Sequence, residues 1–150
     1  AYWMRASGAV FIDQSNPRSA LAAFKSMARR LRRGRSLILF PEGHMHQGKG
    51  IDTFNRGGIF SAVLTGVPIV PICLNGTDKV IRPGGFHINP YKRVIAEICD
   101  PIETTNLGRA EKKEIDAIVH GIIAEKRSCY EKRHPASRRD SAQAAARIIT

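Results

Sequence analysis

The sequence predicts a single α/β domain with a mixed, largely parallel sheet flanked by helices. Short apolar runs of strand length alternate with segments of helical periodicity along the chain, and this alternation is typical of sheets with parallel pairing. The length of 150 residues suits one domain with its own hydrophobic core. The longest apolar runs are far shorter than the about 20 residues of a membrane-spanning helix.

The first predicted strand and helix lie between Gly8 and Gly34. The segment Gly8–Asp13 (GAVFID) has the composition of a short buried strand. A helix is expected to begin at Pro17 with Asn16 as its cap, and Gly34 ends it. The apolar stripe of this helix is predicted to comprise Leu21, Phe24, Ala28 and Leu31.

The middle of the chain is predicted to form three strands and a short helix. Ser36–Phe40 is expected to be a buried strand, followed by a loop and a helix over 57–64 that Gly66 terminates. Pro68–Leu74 is expected to be a third strand, and its two prolines favour an edge or irregular position. Arg93–Cys99 is the fourth predicted strand.

The C-terminal part combines a well-marked helix with a basic tail. Isoleucine and valine side chains form one apolar stripe between Ile115 and Ile123. From residue 126 onward the periodicity fades, and residues 126–150 carry seven Lys or Arg residues against two acidic ones. The chain is therefore divided into a domain over 1–125 and a basic tail over 126–150, which is expected to be solvated and in part helical.

Charge and cysteine content limit the classes of partner. The formal net charge of +11 favours anionic partners: nucleic acid, anionic lipid headgroups, or phosphorylated and thioester-nucleotide substrates. Cys73, Cys99 and Cys129 form no CxxC pair, so neither a metal site nor a disulfide framework is predicted. Two of them lie in apolar runs and are expected to be core residues of a protein in a reducing compartment.

Three short motifs follow one another along the chain. They are GAVFIDQ over Gly8–Gln14, FPEGHMH over Phe40–His46, and VPIVPI over Val67–Ile72. In this order and spacing they resemble the GxxFIDR, FPEGTRS and VPIVP motifs of glycerophospholipid acyltransferases of the 1-acylglycerol-3-phosphate type. The segments Phe54–Gly57 and Asn75–Thr77 also look like that family. The resemblance extends from about Arg5 to Ile102.

The resemblance implies an enzyme of phospholipid biosynthesis. Such enzymes transfer a fatty acyl group from a coenzyme A or carrier-protein thioester to a free hydroxyl of a lysophospholipid or glycerol phosphate. No metal or cofactor is implied beyond that donor. The family's catalytic pair is spaced HxxxxD, its His acting as general base and its Asp orienting the imidazole. None of the five histidines is followed by Asp at that spacing. No catalytic residue is therefore assigned, and the chain is expected to be the C-terminal part of such a domain, with little activity alone.

The motifs that are present indicate candidate residues for binding the acceptor. They are Asp13, Gln14, Phe40, Pro41, Glu42, Gly43, His44, Lys49 and Arg56. Glu42 is placed either to accept a hydrogen bond from a substrate hydroxyl or to hold the loop. The alternative reading makes Pro41–Gly43 a simple turn, and Asp13 a residue that closes the turn before the helix.

Several residues depart from the family pattern. Gln14 replaces an arginine, His44 and Met45 replace a threonine and an arginine, and Asn55 replaces a basic residue. Because the family arginines are thought to grip the acceptor phosphate, an acyltransferase of altered specificity, or an inactive one, is an open alternative.

Two classes other than an acyltransferase also need to be considered. The segment Gly43–Lys49 matches GxxxxGK, but a phosphate-binding loop needs Ser or Thr next and a helix starting there, whereas Gly50 follows. A nucleic-acid-binding module would use the basic charge. The aromatic content of 7% and the lack of a stacking series disfavour it, and no nucleic-acid partner is predicted.

A lipid acceptor implies work at a membrane. The expected location is the cytoplasmic face of a membrane, held peripherally or by an upstream anchor. Arginines between Arg29 and Arg35 and basic residues of the tail are expected to attract an anionic membrane surface. The tail residues meant are Lys132, Arg133, Arg138 and Arg139. The alternative is that these charges only keep the protein soluble.

Overall fold

Helices and short strands alternate in the computed structural model, which describes residues 2, 8–10, 12, 16–43, 50–81 and 88–134. The elements are α1 (Pro17–Arg32), α2 (Arg56–Thr65), β1 (Ile72–Asn75), α3 (Thr77–Val80), β2 (Ile95–Ile98), α4 (Arg109–Lys113) and α5 (Ile115–Arg133). The α/β prediction is confirmed. No helix within these ranges is long and apolar enough to cross a membrane.

Helix α1 begins as its sequence predicts. The side-chain oxygen of Asn16 accepts hydrogen bonds from the backbone N–H groups of Arg18 (3.0 Å) and Ser19 (3.4 Å), and Pro17 occupies the first helical position. One expected core residue is misplaced by the sequence reading, because Leu21 is 54% exposed. Ala28 of the predicted stripe is buried as expected, and the burial extends further round the helix to Ala23 and Met27.

Helices α1 and α2 approach closely because α2 starts with two glycines after Arg56. A Cβ atom built on Gly57 would lie 2.1 Å from Cζ of Phe24 in α1. A Cβ on Gly58 would lie 2.7 Å from a methyl group of Leu39. Any side chain at these positions would have to displace the Phe24 ring or the Leu39 side chain.

The sheet formed by the described residues is antiparallel and has two strands, which differs from the expected parallel pairing. Ile72 faces Ile98 and Asn75 faces Ile95 across the ladder. Parallel pairing needs a crossover element, usually a long helix. The connection between the strands contains only the four-residue α3 within its described part, so β2 folds back beside β1.

Two of the predicted strands are not found among the residues that the structure describes. Ser36–Phe40 has no ladder partner among the described residues, and its side chains Ile38 and Phe40 are 89% and 72% exposed. The described part of Gly8–Asp13, residues 8–10 and 12, also forms no strand. The third and fourth strands are confirmed but shorter. Pro68 and Pro71 have no N–H to donate to a ladder, so the third strand begins only at Ile72. The fourth strand is limited to the four residues that pair with it, Ile95–Ile98.

The core lies where α2 meets α5. Ile59, Ile115 and Val119 form its buried centre. The partly buried side chains around it are Phe54, Val63, Ile69, Ile102, Leu107 and Ile123. The hydroxyl of buried Thr104 donates a 2.9 Å hydrogen bond to the carbonyl of Val67 and so stabilises the turn after α2.

Helix α5 continues past the predicted boundary at residue 125. It ends at Arg133, so residues 126–133 of the predicted tail are helical, and Tyr130 is buried. Residues 135–150 lie outside the described residues. Cys73 and Cys99 are buried, as expected, whereas Cys129 is exposed, and all three are free thiols. Burial raises the pKa of the Cys73 thiol, which keeps it protonated at neutral pH.

Replacing glycine by alanine should have different effects on stability at Gly57, which lies in the close contact between α1 and α2, and at Gly121, which has open space around it. Gly57→Ala should destabilise the protein by about 1–3 kcal/mol, because the new methyl group displaces the Phe24 ring. Gly121→Ala in α5 has open space around it, and alanine is the better helix former, so stability should stay constant or rise by up to about 1 kcal/mol. Urea denaturation of both variants measures this. Equal shifts of the two midpoints would show that Gly57 is not packed as described.

Candidate functional site

The Pro-Glu-Gly motif forms a turn at the start of the site loop, which is defined here as residues 40–56. The backbone N–H of Gly43 donates a 3.2 Å hydrogen bond to the carbonyl of Phe40. Gly43 has a φ of 72°, in the left-handed region that favours glycine. The turn reading is therefore correct, although it does not exclude a further role for the motif.

Glu42 joins this turn to the far side of the site loop. Its Oε2 atom accepts a 3.2 Å hydrogen bond from the backbone N–H of Asp52. Beside it, the carbonyl of Pro41 accepts a 2.7 Å hydrogen bond from the backbone N–H of Asn55. These two contacts close the base of the loop. Glu42 thus holds the loop, one of its two expected roles, and contact with an acceptor stays a prediction.

Helix α5 fixes the second half of the loop. Nη1 of Arg127 donates a 2.8 Å hydrogen bond to the carbonyl of Gly50, and its Nε lies 3.2 Å from Oε1 of Glu131. The ring of Phe54 packs edge-on against His120, with 5.0 Å between ring centroids. The sequence reading missed Arg127, which it assigned to the tail. The i,i+4 spacing to Glu131 was the available signal that the helix continues there.

Arg56 stands where the loop enters α2. Its Nε lies 3.9 Å from Oδ1 of Asp116 in α5, and its guanidinium carbon lies 5.4 Å from the ring centroid of Phe60. The side chain is 48% exposed, so these contacts orient it without enclosing it. The first turn of α2 holds no acidic residue, and Asn55 caps it through a 3.2 Å hydrogen bond from the N–H of Gly57. A cation beside a helix N-terminus makes this end of the loop favourable for an anion.

The structure brings together only part of the predicted set. Pro41, Glu42 and Gly43 lie at one side of the loop base, and Arg56 follows Asn55 at the other. Phe40 is largely exposed beside them. The remaining candidates, Asp13, Gln14, His44 and Lys49, lie outside the described residues.

The phosphate-binding-loop alternative is not supported. That motif requires a helix directly after its lysine. Residues 51–55 are not helical, and α2 begins only at Arg56. The GxxxxGK spacing is therefore a coincidence of a glycine-rich loop.

The Glu42–Asp52 contact predicts a local change on mutation. Glu42→Ala removes the acceptor, so the Asp52 amide should exchange with solvent roughly three- to tenfold faster, as expected for losing about 0.5–1.5 kcal/mol. Glu42→Gln keeps an acceptor oxygen, so the Asp52 amide of this variant should exchange at nearly the rate seen in the unaltered chain. Glu103→Ala, at an exposed position, is the matched control. Hydrogen exchange followed by NMR measures this, and an unchanged rate in Glu42→Ala would contradict the role given to Glu42.

Comparison with known proteins agrees with this geometry. The family model of the acyltransferase domain matches residues 2–75. The 1-acyl-sn-glycerol-3-phosphate acyltransferase of Escherichia coli K12 is 29% identical over 126 residues, which are 83% of this chain and 49% of the relative. The Haemophilus influenzae enzyme of the same name is 31% identical over 123 residues, 81% of this chain and 49% of the relative.

A solved structure agrees as well. The crystal structure of the 1-acyl-sn-glycerophosphate acyltransferase PlsC from Thermotoga maritima superposes with a TM-score of 0.63 at 26% identity, over 75% of this chain and 44% of that one. The chain thus spans about half the length of the relatives it matches. The family-model match, the curated relatives and the shared fold establish that this chain belongs to the acyltransferase family, among relatives that are 1-acyl-sn-glycerol-3-phosphate acyltransferases.

Proposed function

We propose that the protein takes part in the transfer of a fatty acyl group from an acyl thioester to a free hydroxyl of a lysophospholipid. The proposed acceptor is 1-acylglycerol 3-phosphate. Family membership and the names of the relatives support this proposal. The observation that carries it is the closed base of the site loop, where the Pro-Glu-Gly motif and the start of α2 are held together by the Glu42–Asp52 and Pro41–Asn55 hydrogen bonds.

The proposed reaction needs a site that binds the acceptor and a general base that takes the proton of the acceptor hydroxyl. The acceptor hydroxyl attacks the thioester carbonyl, a C–O bond forms and the C–S bond breaks. The hydroxyl proton passes to a general base and from it to the departing thiolate, which leaves as the thiol. Because the chain contains no HxxxxD, the base is not assigned to its residues. The share proposed for this chain is acceptor binding, with the phosphate near Arg56 and the first turn of α2.

The remaining components follow from this chemistry. The acyl donor is proposed to be acyl-coenzyme A or an acyl-carrier protein, with no metal or bound organic cofactor. The acceptor and product are lipids, so the site of action is proposed to be the cytoplasmic face of a membrane.

A second candidate is an acyltransferase homologue of altered specificity or without activity. The observation that favours it is the replacement of family cations by Gln14, Met45 and Asn55. Asn55 serves as the helix cap of α2, a role that a longer basic side chain would not fill in the same way. Binding assays that compare phosphate-bearing with zwitterionic lysolipids distinguish this candidate from the first.

Acceptor binding is testable on the chain itself. A short-chain 1-acylglycerol 3-phosphate, kept below its micelle concentration, should bind and slow amide exchange at Gly57 and Gly58. Arg56→Gln should weaken binding by about tenfold or more, because a charge-assisted contact to the phosphate is lost. Lys113→Gln, an exposed site on α4, should leave the affinity unchanged. Equal affinity of the two variants would refute the place given to Arg56.

Acyl transfer provides the second test. With acyl-coenzyme A and 1-acylglycerol 3-phosphate, the 150-residue chain should release thiol at least about 10²-fold more slowly than the Escherichia coli relative, because a general base contributes about 10²–10⁴-fold. Joining the chain to the N-terminal half of that relative should restore release. If the joined protein shows no release and the chain binds no acceptor, the proposed function is wrong.

A further inference from the structure

Helix α1 carries one strongly basic face. The helix has five basic residues and no acidic one. Four of the basic residues, Arg18, Lys25, Arg29 and Arg32, are exposed and stand at helical spacing on one side, which is called the basic face below. The fifth, Arg30, points elsewhere and donates a hydrogen bond to the carbonyl of Gly8.

The packing of α1 fixes the direction of this face. Ala23 and Met27 are buried on the opposite side of the helix. The Phe24 ring contacts Gly57 of α2. Because the apolar side is held in this way, the basic face is oriented away from the core.

The charge of the basic face is not neutralised within the described part of the chain. The ion pairs there join Arg56 to Asp116, Arg127 to Glu131, and Arg133 to Glu97. All of them lie on α2, α5 and β2, and none includes a residue of α1. The four exposed cations therefore face solvent together, where a polyanionic surface would gain from each of them.

An exposed apolar side chain adjoins the basic face. Leu21 is 54% exposed and lies at its edge. Cationic side chains beside an exposed leucine are typical of helices that lie on lipid headgroups. Single-stranded nucleic acid would instead need aromatic rings for stacking. The one aromatic ring of α1, that of Phe24, is turned towards α2.

We infer that the basic face of α1 docks on a bilayer that contains anionic phospholipids. The inference rests on the proposed function, which requires a lipid acceptor, and deepens it by assigning the membrane contact to four side chains and Leu21. It also connects the membrane with the site. Phe24 contacts Gly57, and Leu39 contacts Gly58. Because α1 lies between its basic face and α2, a bilayer on that face would lie about one helix diameter, roughly 10 Å, from the start of α2.

The experiment measures binding of the 150-residue chain to vesicles of phosphatidylcholine, alone or mixed with phosphatidylglycerol. Binding should require phosphatidylglycerol and weaken as salt rises. The triple variant Lys25→Gln/Arg29→Gln/Arg32→Gln should bind on the order of 100-fold more weakly, since each cation near an anionic surface contributes a factor of about five. The control Arg109→Gln/Lys113→Gln/Lys126→Gln removes the same charge from exposed positions on α4 and α5 and should lose less than about tenfold.

A second variant tests the apolar part. Leu21→Ser leaves the charge unchanged and should weaken vesicle binding several-fold, while circular dichroism confirms that the helices of all variants are intact. If the two triple variants lost affinity for anionic vesicles equally, binding would depend on net charge alone, and the assignment would be overturned. The assignment would also be overturned if the chain did not bind anionic vesicles, or if it bound nucleic acid more tightly than anionic vesicles at the same salt concentration. The assay contains no acyl donor, so these failures are separate from failure of the acyl-transfer test.

Discussion

The position of α2 between α1 and α5 is the constraint on which the rest of the structure depends. On one side Gly57 and Gly58 let the helix approach Phe24 and Leu39 at contact distance. On the other side Ile59 enters the buried core with Ile115 and Val119. Both contacts lie within the first turns of α2. The start of the helix, which contributes Arg56 to the candidate site, is therefore packed from both sides.

The site loop shows how a structural role and a functional role coexist in one motif. The Pro41–Gly43 turn would be unremarkable alone, since such turns need only a suitable glycine. Its significance comes from Glu42, which reaches across to the Asp52 amide, and from Arg127, which holds Gly50 from α5. A loop with both ends hydrogen-bonded presents its side chains at lower entropic cost, which is what binding a small anionic group requires.

Helix α1 divides its tasks between two faces. Ala23 and Met27 are buried and Phe24 contacts α2, whereas Arg18, Lys25, Arg29 and Arg32 face outward. The same packing that stabilises the fold thereby determines which surface is electropositive and places that surface beside the site. A short helix with this composition would have little stability alone and gains it from the tertiary contact.

The sequence by itself determined the features that depend on near neighbours in the chain. The Asn16–Pro17 start of α1, the end of α2 at Gly66 and the apolar stripe of α5 follow from hydrogen bonds and spacing within a few residues, and all are confirmed. The motifs likewise identified the family. The tertiary structure alone decided the antiparallel pairing of β1 with β2, the lack of a ladder partner for Ser36–Phe40 among the described residues, and the exposure of Leu21. It also decided the contact between Arg127 and Gly50, which are 77 residues apart. In each case the outcome depends on whether a distant segment packs against the residue, and local propensity carries no information about that.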